Sequence, residues 1–429
     1  MNRKLNPSKL TFIDLFAGCG GLSLGLEEAG FYPLYVNELN KDAMETYLIN
    51  REKYYPHLRE KFHSFDIKKV INKKDFSKNL LDDFKKEFKR DFTKQSVDLV
   101  VGGPPCQGFS GIGVRRSYSV DKNKLPSNHL FQDMACFIKK INPKIFLFEN
   151  VQGLLTSKWS SNGFKGEVFK DVLKTFKKNS NYHVKFKLIH SKDYGIPQNR
   201  PRVLIIGIRK DLNLEVTHDD DALVNNFIPK PHYQYPHINE VLSDLVDKNF
   251  KNGGETNKYA SQPKNLWQKK IRKKFKTNQI LENGDLTEHK YSKHSEKIIS
   301  KFSYMIKNNG EIPSEFETKK FSQKVLPSKW GKNGPTITVT SLPDDYIHFS
   351  QPRSLTVREW ARLQTFPDWY KFSGKRTTGG IRRSGNPQIS LNEREVPKYT
   401  QIGNAVPVEL AYELGKHFSK ILLKSKKSN

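Results

Sequence analysis

The chain has 429 residues, of which 74 are Lys or Arg and 45 are Asp or Glu, so its formal net charge at pH 7 is +29. A surplus of this size favours a polyanionic partner, either nucleic acid or an acidic membrane surface. Hydrophobic residues make up 36% of the chain, which is enough for a buried core and excludes global disorder. At roughly 150 residues per domain, the length predicts two or three domains.

Membrane and secretory classes are not expected. No stretch approaches the ~20 consecutive apolar residues that cross a bilayer, and the amino-terminal segment MNRKLNPSKL leads into no apolar run. The three cysteines, Cys19, Cys106 and Cys136, are an odd and unclustered set, which argues against disulfides and against a cysteine-rich zinc site. We therefore expect a reduced, cytoplasmic protein without a metal.

The amino-terminal half alternates short apolar runs with helical patterns. The runs predicted as buried strands are 11–16, 34–36, 97–101, 145–148 and 203–208, and the predicted helices between them include 22–29 and 131–141. Continuous apolar strands separated by helices indicate a mostly parallel sheet that is covered on both faces. The sequence thus predicts a doubly wound α/β domain.

The composition changes after about residue 230 and becomes rich in Lys, Asn, Ser and Pro up to about residue 347. Within this stretch, Lys264–Lys276 carries seven basic side chains in thirteen positions, with Trp267, Ile271 and Phe275 at helical spacing. Two interpretations stay open: an amphipathic helix with a solvated face, and a helix that contacts phosphates. Helical patterns return over 354–367 and 401–423.

The first predicted strand leads into a glycine-rich loop with the sequence DLFAGCGG, residues 14–21. Glycines let the backbone turn tightly and approach a ligand closely before a helix. The third position of a dinucleotide fingerprint is Ser23 here, so a pyrophosphate is not indicated. Glu38, about twenty residues on, is placed to accept from two ribose hydroxyls, and Asp66 from an adenine amino group. A nucleoside site and an ordinary tight turn both remain open.

Cys106 stands in the segment GGPPCQGFS, directly after the predicted strand 97–101. The two prolines stiffen the approach and place one thiol at the carboxyl end of a strand, where α/β sheets carry their chemistry. A structural cysteine would lie inside an apolar element, as Cys136 does. We therefore predict that Cys106 is a nucleophile rather than a buried residue without a chemical role. A thiol needs an electropositive surround, or an acid that polarises its target.

Two neighbouring segments offer these groups. Glu149 follows the predicted strand 145–148 and supplies an acid, while Arg200 and Arg202 in QNRPR supply two fixed cations. For Glu149 alone, a cap or turn role is the alternative. Its position on a strand end beside that of Cys106 favours catalysis.

In this order, the motifs resemble those of the DNA cytosine-5 methyltransferases of bacterial restriction-modification systems. The matching blocks are DLFAGCGGLSLGLEEAGF, the Glu38 and Asp66 positions, GGPPCQGFS, ENV, QNRPRVLIIGIR, RSLTVREWARLQTFPD and QIGNAVP. They span residues 11–411 apart from the variable stretch near 230–345. Seven blocks in one order are not expected by chance.

The resemblance implies an enzyme that uses S-adenosylmethionine and no metal. The implied cofactor-binding residues are Asp14, Phe16, Gly18, Gly20, Glu38, Leu39, Asp66, Ile67, Pro105, Leu130, Asn404 and Val406. Of these, Glu38 would hold the ribose, and Asp66 and Ile67 would flank the adenine. The implied domains are a catalytic domain over 1–230, completed by 350–429 with a helix beside the first strand, and a smaller target-recognition domain over 231–349.

The implied chemistry is methyl transfer to C5 of cytosine. The Cys106 thiolate would add to C6 while Glu149, protonated, hydrogen-bonds N3. C5 would then attack the sulfonium methyl group, and loss of the C5 proton and of the cysteine would restore the ring. Arg202 would contact O2, with Arg200 in support. Because a thiol cannot reach C6 inside a duplex, the base would flip out, under a lid formed by residues 108–127.

The implied partner is double-stranded DNA, bound by a monomer, with a cognate restriction endonuclease that acts on the same site without an obligatory complex. A late block that begins TTGGIRRSGNPQ is similar to relatives that modify GG…CC palindromes. One alternative is a tRNA methyltransferase on the same fold, although its Cys-Phe-Thr signature is missing here. The other is an inactive DNA-binding homologue, which would lack Cys106, Glu149 or Asn404.

Exchange of residues 235–345 for the matching stretch of a relative should change the methylated DNA sequence, since the recognition domain is predicted there. Bisulfite sequencing of DNA from a methylation-free host that expresses the chimera checks this. Retention of the original sites would refute the assignment of recognition to this stretch.

Overall fold

The fold is seen in a computed structural model, which describes residues 4–105, 126–317, 323–329, 335–336, 345–378 and 395–425. The strands are β1 (Thr11–Leu15), β2 (Tyr32–Asn37), β3 (His63–Ser64), β4 (Leu99–Gly102), β5 (Ile145–Val151), β6 (Tyr182–His190), β7 (Pro201–Arg209), β8 (Lys324–Val325) and β9 (Tyr346–Ile347). The helices of the first half are α1 (Gly21–Glu28), α2 (Lys41–Ile49), α3 (His57–Glu60), α4 (Ile67–Ile71), α5 (Phe76–Phe88), α6 (Leu130–Ile141) and α7 (Glu167–Lys177). Those of the second half are α8 (Ile238–Leu242), α9 (Leu266–Ile271), α10 (Glu296–Lys307), α11 (Val357–Leu363), α12 (Lys398–Asn404) and α13 (Val408–Ser425).

Strands β1 to β7 form one sheet in the order β3-β2-β1-β4-β5-β7-β6. The first five are parallel, and β7 runs antiparallel to both of its neighbours. Ile13 and Val100 contribute to one hydrophobic core and Phe12 and Val101 to another, so both faces of the sheet are covered. The predicted doubly wound, mostly parallel α/β fold is confirmed.

The register brings several strand ends to one edge of this sheet. Leu15 pairs with Gly102, and Gly102 pairs with Phe148, so the residues that follow β1, β4 and β5 start side by side. Because β7 is antiparallel, it begins at this same edge, where Arg202 pairs with Val151. The residues that follow β1, β4 and β5 therefore lie along one edge with the start of β7, where α/β sheets carry their ligand sites.

Helix α13 packs directly on α1. A Cβ built on Gly25 would lie 2.3 Å from the carbonyl oxygen of Val408, so this approach is open only to glycine. The helix also shares a core with Phe12 of β1. The prediction of one helix over 401–423 was wrong, since α12 ends before Pro407 and α13 begins after it. Proline removes a backbone donor and keeps the preceding residue out of helical geometry.

Buried ion pairs join helix α11 to the segment that follows α8. Thr356 caps the helix in a capping box with Glu359. On the same helix, Arg362 forms ion pairs of 2.5 Å with Asp244 and 2.6 Å with Asp368, all three side chains being fully buried. Removing one member of such a set leaves an uncompensated buried charge, which costs about 3–5 kcal/mol. These pairs fix α11 to the region near residue 244.

The basic segment Lys264–Lys276 differs from both interpretations of its sequence. Only Leu266–Ile271 is helical. Arg272 is 2% exposed, donates from Nε to Asp244 at 2.8 Å, and stacks 3.5 Å from the ring centre of Tyr259. The expectation that this cluster as a whole faces phosphate or solvent was therefore wrong for Arg272, whose charge serves the interior.

Within the described ranges, no helix is both long and apolar enough to span a membrane.

Candidate active site

The loop after β1 has a strained backbone. Phe16 has a φ of 59° and Gly18 one of 56°, a left-handed conformation that a bulky residue such as phenylalanine rarely adopts. A Cβ built on Gly18 would meet no described atom within 4 Å, so the loop is open at this point. Gly20 faces the other way, because a Cβ there would lie 2.8 Å from Arg51 Nη1.

Glu38 closes this loop from the end of β2. Its Oε2 accepts from the Gly18 N–H at 2.8 Å, and its Oε1 accepts from the Asn40 N–H at 2.8 Å. Burial raises the pKa of Glu38, and these backbone donors oppose the rise. Each carboxylate oxygen has two lone pairs, so Glu38 can hold the loop and still accept from a vicinal diol.

Asp14, the next-to-last residue of β1, has a buried carboxyl group. Its Oδ2 accepts from the Ser23 hydroxyl at 2.6 Å, whereas its Oδ1 is buried without a hydrogen-bond partner among the described residues. Burial raises the pKa of Asp14 to about 7. An unsatisfied buried oxygen is rare in native proteins, and it fits a site that a ligand with a donor group completes.

No motif in the sequence indicates the network of hydrogen bonds beneath this loop. Arg51 is buried and donates to the Gly20 carbonyl at 3.1 Å, to Glu27 at 2.6 Å and to the Tyr370 hydroxyl at 2.9 Å. Tyr370 in turn donates to the Cys19 carbonyl at 2.5 Å. This one guanidinium therefore fixes the loop from inside, through a partner 319 residues away in sequence.

The residues predicted to surround an adenine follow β2 and β3. Asn37 pairs with Ser64, and the Glu38 N–H donates to the Ser64 carbonyl at 3.0 Å. Asp66 caps α4 by accepting from the Lys68 N–H at 2.9 Å. Of the others, Ile67 is buried, and Leu39 and Leu130 are half-buried.

The carboxyl-terminal part of the chain reaches the same loop. The Val406 carbonyl oxygen lies 2.3 Å from the position that a Cβ on Gly21 would take. Asn404, the last residue of α12, is exposed, whereas Val406 is buried. Both predicted residues thus lie where the chain passes the start of α1.

Glu149 and Arg202 form the charged pair at the ends of β5 and β7. Glu149 Oε1 lies 2.5 Å from Arg202 Nε, and both side chains are about nine-tenths buried. Burial lowers the pKa of the Arg202 guanidinium, while the Glu149 carboxylate opposes this shift. The pair places one carboxyl group beside one guanidinium with several N–H donors, and both groups are almost fully shielded from solvent.

The segment that precedes Cys106 runs past this pair. A Cβ built on Gly103 would lie 2.9 Å from Glu149 Oε2, and the Pro104 carbonyl accepts from Asn150 Nδ2 at 3.1 Å. Pro105 is exposed at the end of this segment. Residues 106–125, which include Cys106 and most of the predicted lid, lie outside the described residues.

Arg200 occupies a different position from Arg202. It is 2% exposed and donates from Nη2 to the Gly403 carbonyl at 2.6 Å. Burial lowers its pKa well below the usual range, and the charge of Arg202 adds to the effect. Arg200 therefore joins the start of β7 to the end of α12.

The model of the family "C-5 cytosine-specific DNA methylase" matches residues 10–420. The chain belongs to this family. Among curated relatives, it is 32% identical to the type II methyltransferase M.DdeI of Desulfomicrobium norvegicum over 96% of this chain and 88% of that protein. It is 30% identical to the type II methyltransferase M.NgoPII of Neisseria gonorrhoeae over 97% of each chain.

The fold is shared with a prophage-encoded Escherichia coli protein described as a DNA modification methyltransferase. The TM-score is 0.65 at 22% identity, over 96% of this chain and 99% of that one. The resemblance stated from the sequence is thus confirmed, and the chain is a DNA (cytosine-5)-methyltransferase of the restriction-modification type. The family uses S-adenosylmethionine.

In the part of the chain that the structure describes, no group of three or more His, Cys, Asp or Glu side chains is arranged to hold a metal ion.

Replacing Asp14 by Asn should make stability less dependent on pH. In the folded chain the pKa of Asp14 is about 7, against about 3.9 when unfolded. The folded state therefore holds the extra proton between these values, and its contribution is full below pH ~4 and lost as the pH rises to ~7, at roughly 1.4 kcal/mol per unit.

Relative to the parent, Asp14→Asn should gain stability as the pH rises from about 4 to about 7, measured by urea unfolding at each pH. The matched control is Asp82→Asn, a change of the same type at an exposed position on α5. A stability difference between Asp14→Asn and the parent that stays constant with pH would contradict the raised pKa of Asp14.

Proposed function

We propose that the loop of residues 16–20, together with Asp14 and Glu38, binds S-adenosylmethionine. The two oxygens of Glu38 suit the ribose diol, and the open side of Gly18 leaves room for the ligand. The orphaned Oδ1 of Asp14 suits the ammonium group. When bound, the cofactor supplies an electrophilic methyl group.

Around the adenine we propose Leu39, Asp66, Ile67 and Leu130, which follow β2, β3 and the start of α6. Pro105, Asn404 and Val406 complete the list of proposed cofactor contacts. Gly20 would contribute through its backbone, because a Cβ at this position would point towards Arg51.

The catalytic proposal is a covalent mechanism in which the Cys106 thiolate adds to C6 of a flipped cytosine. The observation that carries it is the buried Glu149–Arg202 pair, held against the chain just before Cys106. Negative charge that develops on the ring at N3 and O2 would face one proton donor and one cation. Such fixed groups stabilise charge most where water is excluded.

The ion pair also places the two groups on one side of the proposed base. Arg202 would contact O2 while Glu149 hydrogen-bonds N3. Arg200 supports this arrangement from behind.

For the whole molecule, we propose double-stranded DNA as the substrate of a monomeric enzyme in a bacterial cytoplasm. Residues 231–349 would form the target-recognition domain, and residues 1–230 with 350–429 the catalytic domain. A cognate restriction endonuclease would act on the same sites as a separate protein. A GG…CC palindrome is the proposed type of target.

Replacing Cys106 by Ala should abolish methyl transfer, since C5 is not nucleophilic enough without addition at C6. Transfer of labelled methyl groups to plasmid DNA from a methylation-free host measures this. DNA affinity should stay within about threefold of the parent, because neutral contacts contribute little. Methyl transfer at the parent's rate by Cys106→Ala would refute the covalent mechanism.

Replacing Glu38 by Ala should weaken S-adenosylmethionine binding by at least about 10- to 100-fold, because even one hydrogen bond to a charged acceptor is worth about 1.5–3 kcal/mol. Isothermal titration calorimetry checks this without any turnover. Glu45→Ala is the matched control, because Glu45 pairs with Arg59 on the surface of α2. Equal cofactor affinity in both variants would remove Glu38 from the site.

A further inference from the structure

Residues 198–202, which we call the strap, connect three parts of the molecule. At one end, Gln198 Nε2 donates to the Leu363 carbonyl at 2.7 Å. At the next residue, the Asn199 N–H donates to the Pro335 carbonyl at 2.7 Å, and the Thr336 hydroxyl donates to the Asn199 carbonyl. At the other end, Arg202 meets Glu149. The strap therefore contacts the proposed recognition domain, α11 and the catalytic pair.

The strap is also hydrogen-bonded to the end of β6 and to the residue after it. The Ser191 N–H and hydroxyl both donate to the Arg200 carbonyl, at 3.0 and 2.9 Å. His190 Nδ1 lies 2.8 Å from Asn199 Oδ1. Pro201 then fixes φ between the two arginines. A shift of the backbone at Asn199 is therefore passed to Arg202 rather than absorbed between them.

The contact at Asn199 links the strap to residues 335–336. It uses both the N–H and the carbonyl group of Asn199, so it fixes the orientation of this residue as well as its distance from residues 335–336. Residues 335–336 lie within the stretch 231–349, which by proposal reads the DNA. The position of residues 335–336 thus affects the distance between the Arg202 guanidinium and the Glu149 carboxyl group.

We propose that Thr336 is a positioning residue: through its hydrogen bond to Asn199, the recognition domain sets Arg202 against Glu149. The proposal rests on the proposed function, in which these two side chains act on the cytosine ring. DNA that seats well on the recognition domain holds residues 335–336 in place, and the strap then holds the catalytic pair in its working geometry. DNA that seats poorly leaves the pair misaligned.

The test compares Thr336→Val, which lacks the hydroxyl donor, with Thr336→Ser, which keeps it. Thr175→Val is the matched control, since Thr175 on α7 bonds a helix carbonyl on the surface. The substrate is a duplex that carries one site mapped by bisulfite sequencing of host DNA. For each variant we measure the single-turnover rate constant of methyl transfer, the DNA dissociation constant by fluorescence anisotropy, and the melting temperature.

We expect Thr336→Val to lower the rate constant about five- to tenfold, the lower range of a typical coupling between two sites. The DNA dissociation constant should stay within about twofold, and Thr336→Ser and Thr175→Val should transfer methyl groups at the parent's rate. Weaker DNA binding at an unchanged rate constant would overturn the proposal, since Thr336 would then only hold DNA. A loss that Thr336→Ser does not restore, or that follows the melting temperature, would overturn it as well.

Glu149→Gln separates failure of this inference from failure of the proposed function. If Glu149→Gln transfers methyl groups at the parent's rate, the catalytic part given to the pair is wrong. If Glu149→Gln is impaired while Thr336→Val is not, only the positioning by Thr336 is refuted.

Discussion

The close packing of α13 on α1 is the constraint on which the active site depends. At Gly25 the two backbones approach within the space of a methyl group, and this draws the chain between α12 and α13 across the start of α1. Val406 comes to rest over Gly21, and Gly403 is brought within reach of Arg200. A bulkier residue at the crossing would lift that whole stretch from the loop, so small residues here determine geometry some distance away.

Charge inside the molecule is used in two ways. The set around Arg362, with Asp244 and Asp368, is fully paired, and it joins parts of the chain that are far apart in sequence. Buried ion pairs give little net stability compared with apolar packing, so their value here is that they accept only one arrangement. Asp14, by contrast, is left incompletely satisfied. The paired charges hold distant segments together, and the unpaired oxygen lies where we propose that the cofactor binds.

The sequence was most informative where a strand ends. Glu38 and Glu149 were recognised because each follows an apolar run, and parallel strands bring such positions to one edge whatever the details of the helices. Edge strand β6 was missed, since its alternation of polar and apolar residues forms no continuous apolar run. The division of the last helix at Pro407 was overlooked for a different reason, because the apolar pattern continues across the proline.

Long-range pairing was beyond a reading of the sequence. Nothing near Arg51 indicates that its partner is Tyr370, and Arg272 looks like one more member of a basic run until Asp244 is seen beside it. Both arginines are recognised only in three dimensions, since charge alone does not show whether a side chain turns inwards. The same limit applies to the strap, whose contacts come from residues far apart in the chain.

The path of the chain past Gly21 also has a consequence for synthesis. The loop that begins at Phe16 leaves the ribosome long before the stretch around Val406 that packs against it. During translation the sheet can form while this side of the loop is still exposed, and α12 and α13 cover it later. A partly synthesised chain therefore has its strands in place before its site is complete, and we expect activity only after the stretch around Val406 has emerged.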